Sequence, residues 1–396
     1  MGFFPDSAAD KQILFTDRQR LRKDRSRQGV SMKKVLIITN HSYMFWQFRR
    51  ELVAAILEQG HQVTLAVPFG DCVEELRSLG CTLIDTPMNR RGMSPMQELS
   101  LMRRYRSILD TVKPDLVITY SIKPNLYAGL LCGRRNIPCC INVQGLGTAF
   151  QNPVTAAFVS GLYRAAVRRA RVVFFENEEN ARIFRDKKII SRDRQCILRG
   201  AGINLDRYTR QPYPEHETVR FLYLGRIMRE KGMDELFEAV RRLYREGEQF
   251  HLDLVGFFED SYRDQVGQLE QLGVCTFHGF QSETRPFYGN ADCVVLPSYH
   301  EGMSNVLLEG AAVGRPLITS AISGCREAVE EGVTGFTCPA RDPDALYETM
   351  KKFLHLSREQ RAAMGAAGRR KMQAEFDKKL VVENTLAAIF REESHV

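Results

Sequence analysis

Short β-branched segments alternate with helical segments along this chain of 396 residues, and the alternation occurs twice. In the first stretch the predicted strands are 34–39, 61–67, 116–120, 139–143 and 171–175, with helices such as 45–59, 95–112 and 153–170. In the second stretch they are 220–224, 250–255, 274–278, 293–296 and 316–319, with helices near 232–246, 260–272, 283–289 and 303–313. Strands joined by helices form parallel sheets that are covered on both faces. The pattern therefore predicts an α/β protein with two doubly wound domains in tandem.

Composition indicates where these domains begin and end. Residues 1–31 lack a periodic apolar pattern and are basic, which predicts either a disordered extension or an overlong start ahead of Met32. The segment 208–217 is rich in proline and charge, as is typical of an interdomain linker. We therefore expect an N-terminal domain over 32–207 and a C-terminal domain over 218–376. The last helix, within 377–396, has apolar positions that need burial, and we expect it to cross back onto the first domain.

Composition also argues against several classes of protein. The chain is 44% apolar and 26% charged, which suits ordinary soluble cores. We find no run of about 20 apolar residues that would span a membrane, and no secretory signal pattern. The ten cysteines form no paired CxxC motif and indicate a reducing compartment, so we expect a cytoplasmic protein. Much of the net charge of +8 lies in the front half, where anionic lipid, phosphorylated substrates and nucleic acid are all possible partners. The motifs of nucleic-acid-binding domains are absent, so we expect no nucleic-acid partner.

The strongest candidate site follows the predicted strand 293–296. Glu301 and Gly302 precede a helix that opens near Met303–Asn305, and Glu309 lies about two turns further on. A helix N-terminus offers unpaired N–H groups and the positive end of a dipole, which together suit a phosphate. Carboxylates only accept hydrogen bonds, so Glu301 and Glu309 are suited to binding sugar hydroxyls. The alternative is that Glu301 only caps the helix and Glu309 is solvated.

A second candidate site lies at the strand-to-helix turn 224–232. Gly225 permits close approach of the backbone, while Arg226 and Lys231 place two cations at the turn, as the neutralisation of a diphosphate requires. A basic turn alone is also compatible with a solvated surface. Because this turn and the Glu301–Glu309 motif belong to one predicted domain, we interpret them as parts of one site.

These motifs resemble those of the retaining family-4 glycosyltransferases with the GT-B fold. The resemblance runs from about Met32 to the C-terminus and includes the Gly225-Arg226…Lys231-Gly232 turn, the Glu301-x7-Glu309 pair and the loop 323–327. Within the family, the segments 143–147, 177–180 and 202–205 are most similar to the bacterial N-acetylgalactosaminyltransferases that act on polyprenyl-diphosphate-linked sugars. The resemblance implies two Rossmann-like domains that face each other across a cleft.

The resemblance also implies roles for individual donor-side residues. Arg226 and Lys231 would hold the donor diphosphate, and Glu301 would bind the sugar hydroxyls; these three are the expected catalytic residues. Glu309 would bind the ribose. The remaining expected donor-binding residues, around the phosphates, ribose and base, are Gly225, Gly256, Gly279, Phe280, Gly302, Met303, Ser304 and Asn305.

Acceptor-side residues are expected in the first domain. Lys123 and Asn125 follow the predicted strand 116–120 and are candidates for an acceptor phosphate. His41 and Ser42 occupy the place of a loop that carries a glycine pair in the family. Gln144 stands where many relatives have a His-Asp pair, so we assign no histidine base.

The activity implied is transfer of a hexose or N-acetylhexosamine from a UDP-sugar to a polyprenyl-diphosphate-linked acceptor, with retention, in capsule, O-antigen or glycoprotein oligosaccharide biosynthesis. We expect no cofactor and no metal, because cations and a helix N-terminus would stabilise the leaving diphosphate. The apolar, basic helix after Pro153, with Arg164 and Arg168, predicts peripheral contact with an anionic membrane at the inner face. The alternative is a helix that packs on its own sheet and has a solvated basic end. The alternatives are a UDP-N-acetylglucosamine 2-epimerase of the same fold, a GDP-sugar donor, or a binding protein without enzymatic activity. The sequence gives no indication of the oligomeric state.

Overall fold

The computed structural model describes residues 31–88, 94–146, 150 and 153–391. These residues form two compact units. Unit 1 contains the described residues up to Phe175, then Ala181–Cys196 and the residues from Asn384, while unit 2 contains Glu176–Asn180 and Ile197–Glu383. The predicted extension 1–31 lies, apart from Ser31, outside the described residues.

Unit 1 is built around a seven-stranded sheet with the order β3-β2-β1-β4-β5-β6-β7. Its strands are Lys34–Ile38 (β1), Gln62–Val67 (β2), Thr82–Asp85 (β3), Leu116–Tyr120 (β4), Cys139–Val143 (β5), Ala170–Phe175 (β6) and Gln195–Ile197 (β7). The helices of this part of the chain are Ser42–Glu58 (α1), Val73–Ser78 (α2), Pro95–Val112 (α3), Ile122–Arg135 (α4), Pro153–Val167 (α5) and Glu178–Asp186 (α6). The pairs from β3 to β6 are parallel, as predicted.

The centre of this sheet is buried on both faces. Every residue of β4 and β5 is buried, and both strands are largely apolar, as expected for a sheet between two helical layers. Helix α4 packs closely on β5 because Gly129 has no side chain. A Cβ at Gly129 would lie 3.1 Å from Ile141 Cδ1 and 3.2 Å from the carbonyl oxygen of Ala166 in α5.

Unit 2 is built around a six-stranded sheet with the order β10-β9-β8-β11-β12-β13. Its strands are Val219–Leu224 (β8), Phe250–Val255 (β9), Cys275–Phe277 (β10), Cys293–Leu296 (β11), Leu317–Ser320 (β12) and Gly335–Cys338 (β13), all paired in parallel. Its helices are Met233–Arg245 (α7), Arg263–Gln271 (α8), Arg285–Asn290 (α9), Asn305–Val313 (α10), Pro343–Leu354 (α11) and Arg358–Glu375 (α12). The predicted α/β class with two Rossmann-like parallel sheets is confirmed.

The segment 208–217, predicted as a linker, lies within unit 2. Arg315 has no exposed surface, and its guanidinium donates a hydrogen bond to the carbonyl oxygen of Pro212 at 2.7 Å. The Tyr213 hydroxyl donates to the carbonyl oxygen of Asp292 at 2.9 Å. The proline-rich segment therefore supplies a backbone acceptor to a buried cation, and the chain passes from unit 1 to unit 2 earlier, between Cys196 and Ile197.

The last helix, Lys378–Phe390 (α13), belongs to both units. Its start is held in unit 2, where the Lys378 N–H donates to the carbonyl oxygen of Ile203 at 2.9 Å. Its end is held in unit 1, where Arg171 donates to the carbonyl oxygen of Ile389 at 3.0 Å. Of all helices that the structure describes, none is both long and apolar enough to cross a membrane.

Candidate functional site

Glycines follow three neighbouring strands of unit 2 at their carboxyl ends. The Gly225 N–H donates to the carbonyl oxygen of Val255, and the Gly256 N–H donates to that of Gly279, each at 2.9 Å. A Cβ at Gly256 would lie 1.8 Å from the carbonyl oxygen of Gly225. The φ angles of Gly225 and Gly256, 151° and 152°, are also ones that other residues rarely adopt. The glycines therefore leave the backbone uncovered by side chains at the carboxyl edge of the sheet, which is the edge where parallel sheets bind ligands.

Arg226, for which the sequence predicted contact with a diphosphate, follows Gly225 on this edge. Its Nη1 lies 2.7 Å from Glu259 Oε2, and its side chain is 43% exposed. Glu259 is a partner that the sequence pattern does not indicate. A guanidinium has five N–H donors, so one ion pair leaves donors for a ligand.

Lys231 and Glu301 form an ion pair in which Nζ lies 2.5 Å from Oε1. Their side chains are 17% and 14% exposed, so the pair is largely shielded from solvent. Gly232 lets the turn that carries Lys231 sit against the end of β11, because a Cβ there would lie 2.1 Å from the carbonyl oxygen of Pro297. The two motifs identified in the sequence therefore meet through their charged side chains.

A loop around Gly324 fixes the backbone of Glu301 and Gly302. A Cβ at Gly324 would lie 2.7 Å from the carbonyl oxygen of Glu301 and 2.5 Å from that of Gly302. Glu327 accepts hydrogen bonds from the Gly324 N–H and the Ser323 hydroxyl, at 2.7 and 3.0 Å. Asn177 Nδ2 donates to the carbonyl oxygen of Gly302 at 2.7 Å. Asn177 is a positioning residue that sequence analysis missed, since its partner lies 125 positions away in the chain.

The N-terminus of α10 opens at this same edge, with Ser304 as its N-cap residue. The Ser304 N–H donates to the carbonyl oxygen of Gly324 at 2.8 Å and is therefore not available to a phosphate, contrary to the prediction for Ser304. The buried Met303 packs against the backbone at Gly200, and its side chain is only 6% exposed. The N–H groups of Asn305 and the next residues lack intrahelical partners because they form the first turn. The N–H groups that this helix start offers to a ligand therefore begin at Asn305.

Glu309 is not a solvated residue. Tyr288 Oη donates to Glu309 Oε2 at 2.8 Å, and the Tyr208 hydroxyl is a second hydrogen-bond donor to the same carboxylate. Burial raises the pKa of Glu309 above its usual 4.5, while the two hydroxyls act in the opposite direction. Glu309 is thus a carboxylate oriented by tyrosines, which suits recognition of a ligand hydroxyl.

Two phenylalanines lie beside the glycine edge. Phe280 is 62% exposed and Phe257 is 47% exposed, and their ring centroids are 6.4 Å apart. Phe280 follows Gly279 directly and Phe257 follows Gly256, so both rings adjoin glycines that the sequence predicted near a ribose or base. Exposed aromatic faces of this kind suit stacking with a planar ring.

The acceptor candidates of unit 1 divide into two groups. The Asn125 side chain accepts from Thr119 Oγ1 and donates to the carbonyl oxygen of Asn142, both at 2.7 Å, and it is 1% exposed. Ser42 is 2% exposed in the first turn of α1. Their burial removes both from contact with a ligand, so the predicted role for Asn125 and Ser42 is wrong.

The other acceptor candidates remain accessible. Lys123 is 17% exposed and pairs with Glu98 at 2.6 Å. His41 is the half-buried N-cap residue of α1, and Gln144 is half-buried directly after β5. All three follow strands of unit 1 at their carboxyl ends. In the described ranges, no cluster of three or more His, Cys, Asp or Glu side chains is arranged to hold a metal ion.

Comparison with known proteins agrees with these features. Residues 207–371 match the model of the glycosyl transferases group 1, and residues 46–200 match that of the glycosyl transferase 4-like domain. The chain is 24% identical to the N,N'-diacetylbacillosaminyl-diphospho-undecaprenol alpha-1,3-N-acetylgalactosaminyltransferase of Campylobacter jejuni, over 78% of this chain and 86% of that protein.

Solved structures show the same fold. A glycosyltransferase from Rickettsia africae has a TM-score of 0.74 at 18% identity and covers 92% of this chain and 100% of its own. Anabaena Alr3699/HepE in complex with UDP-glucose has a TM-score of 0.73 at 16% identity and covers 90% of this chain and 100% of its own. Each half of the chain therefore matches a glycosyltransferase family model, and both units have the parallel-sheet fold of solved glycosyltransferases.

Proposed function

We propose that this glycosyltransferase moves a hexose or N-acetylhexosamine from a UDP-sugar to a polyprenyl-diphosphate-linked acceptor, with retention of configuration. The observation that carries the proposal is the shielded Lys231–Glu301 ion pair beside Arg226, at the carboxyl edge of the sheet in unit 2. This group of three side chains combines a carboxylate that can accept hydrogen bonds from sugar hydroxyls with two cations that suit a diphosphate.

The reaction uses the positive charge of this edge. As the bond from the sugar C1 to the diphosphate oxygen breaks, negative charge grows on the leaving UDP. Lys231, Arg226 and the N-terminus of α10 stabilise that charge without reorganisation. The acceptor hydroxyl forms its bond to C1 on the same face, and its proton passes to the leaving phosphate oxygen. Glu301 orients the sugar through its hydroxyls.

The nucleoside is assigned to the neighbouring surface. Glu309 accepts from the ribose hydroxyls, and the rings of Phe280 and Phe257 lie beside the base. A uridine donor is supported by the related Anabaena protein, which was solved with UDP-glucose. A GDP-sugar is the alternative donor.

Replacement of Tyr288 with phenylalanine tests the ribose assignment. Loss of the hydroxyl removes one hydrogen bond that orients Glu309, and we expect KM for the donor to rise about tenfold. Because that hydrogen bond favours the charged carboxylate, its loss raises the pKa of Glu309 further. The acid limb of the pH profile of kcat/KM should therefore move to higher pH. Tyr262→Phe, which removes a hydroxyl that donates to Asp234 at 2.7 Å, serves as the control. An unchanged acid limb in Tyr288→Phe would argue against the ribose role of Glu309.

The lipid-linked acceptor is supported by the similar Campylobacter enzyme, whose name specifies an undecaprenol diphosphate. Lys123, His41 and Gln144 are the accessible candidates for acceptor contacts in unit 1. Peripheral membrane attachment is supported by α5, where Phe158 is 64% exposed and Arg164 is also exposed, and by Arg168, which is exposed directly after this helix. We place the enzyme at the cytoplasmic face of the membrane in capsule, O-antigen or glycoprotein oligosaccharide assembly.

A panel of UDP- and GDP-sugars with lipid-linked mono- and disaccharides, analysed by mass spectrometry, tests the function. We expect a mass increase of one hexose or N-acetylhexosamine with a UDP-sugar only. Product formed from GDP-sugars alone would replace the donor assignment. Incubation with UDP-N-acetylglucosamine and no acceptor is the control, since rapid formation of its 2-epimer would favour the epimerase alternative.

A further inference from the structure

Arginines line a cavity of about 870 Å³ in unit 1 that the proposed reaction does not use. This volume lies in the range of small-molecule sites. The charged residues of the lining are Arg169, Arg171, Arg194, Arg391 and Asp193. The lining therefore carries four positive charges and one negative charge, which favours the binding of an anion.

The cavity lies at the amino-terminal edge of the sheet. Pro138 precedes β5, Arg169 precedes β6 and Arg194 precedes β7, and the pair β5–β6 is parallel. The acceptor candidates His41, Lys123 and Gln144 follow strands and lie at the opposite, carboxyl-terminal edge of the same sheet. The cavity is therefore distinct from the proposed acceptor residues.

Uncharged oxygens accept hydrogen bonds from three arginines of this cavity. Arg169 donates to Asn136 Oδ1, Arg194 donates to the carbonyl oxygen of Arg168 at 2.9 Å, and Arg171 donates to that of Ile389 at 3.0 Å. A neutral acceptor orients a guanidinium without cancelling its charge. A guanidinium has five N–H donors, so the bonds of Arg169 and Arg194 leave further donors for a ligand.

We propose that this cavity binds a small molecule that carries a phosphate or diphosphate group. The planar guanidinium matches phosphate oxygens in pairs, and several arginines in one cavity favour a multiply charged group. The lining comes from residues 136–138, 169–172, 193–196 and 388–391. A bound anion would therefore join the end of α13 to the starts of β5, β6 and β7. The phosphate group is carried either by a soluble metabolite or by a lipid head group.

Calorimetric titration of the full chain with inorganic pyrophosphate tests the proposal. Arg169→Gln with Arg391→Gln removes two lining cations, and we expect binding to weaken at least about tenfold. Arg103→Gln with Arg106→Gln removes the same charge from exposed residues of α3 outside the lining, and binding should be unchanged. Binding that persists in a chain with Arg226→Gln and Lys231→Met belongs to unit 1 and not to the donor site.

Vesicles distinguish the two sources of the phosphate group. Binding to phosphatidylglycerol vesicles but not to pyrophosphate, lost only in the Arg169/Arg391 variant, assigns the cavity to a lipid head group. Pyrophosphate binding lost only in that variant assigns it to a soluble ligand, and hydrogen exchange of 388–391 should then slow upon binding. Equal binding by both double variants, or binding to neither probe, would overturn the proposal.

Discussion

Replacement of Lys231 with methionine is expected to lower kcat/KM for the sugar donor by about 10³-fold, because one preorganised charge at the leaving diphosphate is lost. The same change removes the cation that lies 2.5 Å from Glu301 in the wild type, so the shielded Glu301 carboxylate loses this partner. Steady-state kinetics with a saturating acceptor measures the loss. The double variant Lys231→Met with Glu301→Gln removes the uncompensated charge, so it should recover stability but not activity.

Lys351 provides the matched control for this experiment. Its Nζ lies 2.5 Å from Glu246 Oε2, the same separation as in the Lys231–Glu301 pair, but Lys351 lies in α11 and Glu246 is the C-cap residue of α7, away from the carboxyl edge of the sheet. Lys351→Met should therefore leave kcat/KM unchanged. Wild-type activity in Lys231→Met, or an equal loss in both variants, would contradict the role of Lys231 at the diphosphate.

Replacement of Gly256 with alanine is expected to destabilise unit 2 by about 4 kcal/mol, since strain in the backbone adds to a steric clash. The added Cβ would lie 1.8 Å from the carbonyl oxygen of Gly225, and backbone atoms cannot move aside as a flexible side chain can. Because Gly225 precedes Arg226, any relief of the clash displaces the donor-side cation as well. Urea unfolding followed by circular dichroism measures the loss of stability, and KM for the donor should rise in parallel.

Gly273→Ala distinguishes the contribution of backbone strain from that of the steric clash. Gly273 also has a positive φ, 76°, but nothing lies within 4 Å of a Cβ added there. Its substitution should cost only the conformational strain, about 1–2 kcal/mol. A similar loss of stability in Gly256→Ala and Gly273→Ala would show that the close approach to Gly225 does not constrain the site.

The periodic core of the fold was predictable from sequence, and its edges were not. Strand β1 and strand β9 carry runs of buried apolar residues and were predicted to within one residue. Strands β3 and β7 have no fully buried residue, so they give no apolar run. Strand β13 begins at Gly335, where a Cβ would lie 2.1 Å from the carbonyl oxygen of Leu317. From sequence alone, a glycine of this kind indicates a turn, although here it permits close pairing of β13 with β12.

The candidate site was predictable where the residue type itself specifies the chemistry. Arg226, Lys231 and Glu301 were identified because charged residues at strand ends have few structural uses. Asn125 was misassigned because the sequence gives its place after a strand but not which face of α4 is buried. The contacts of Asn177 with Gly302 and of Tyr288 with Glu309 depend on residues distant in sequence, for which a single chain carries no signal.

The interleaved path of the chain has a consequence for exchanging parts between related transferases. Unit 2 includes the short stretch Glu176–Asn180 from the first half of the chain, and unit 1 includes the residues from Asn384. A chimera with a single junction between residues 200 and 207, where the two family matches meet, would take Glu176–Asn180 from one parent and most of unit 2 from the other. It would likewise take the residues from Asn384 from a different parent than the rest of unit 1. The stretch Glu176–Asn180 carries Asn177, which holds the loop of Glu301, so a change of donor specificity by exchange of the whole of unit 2 would require four junctions rather than one.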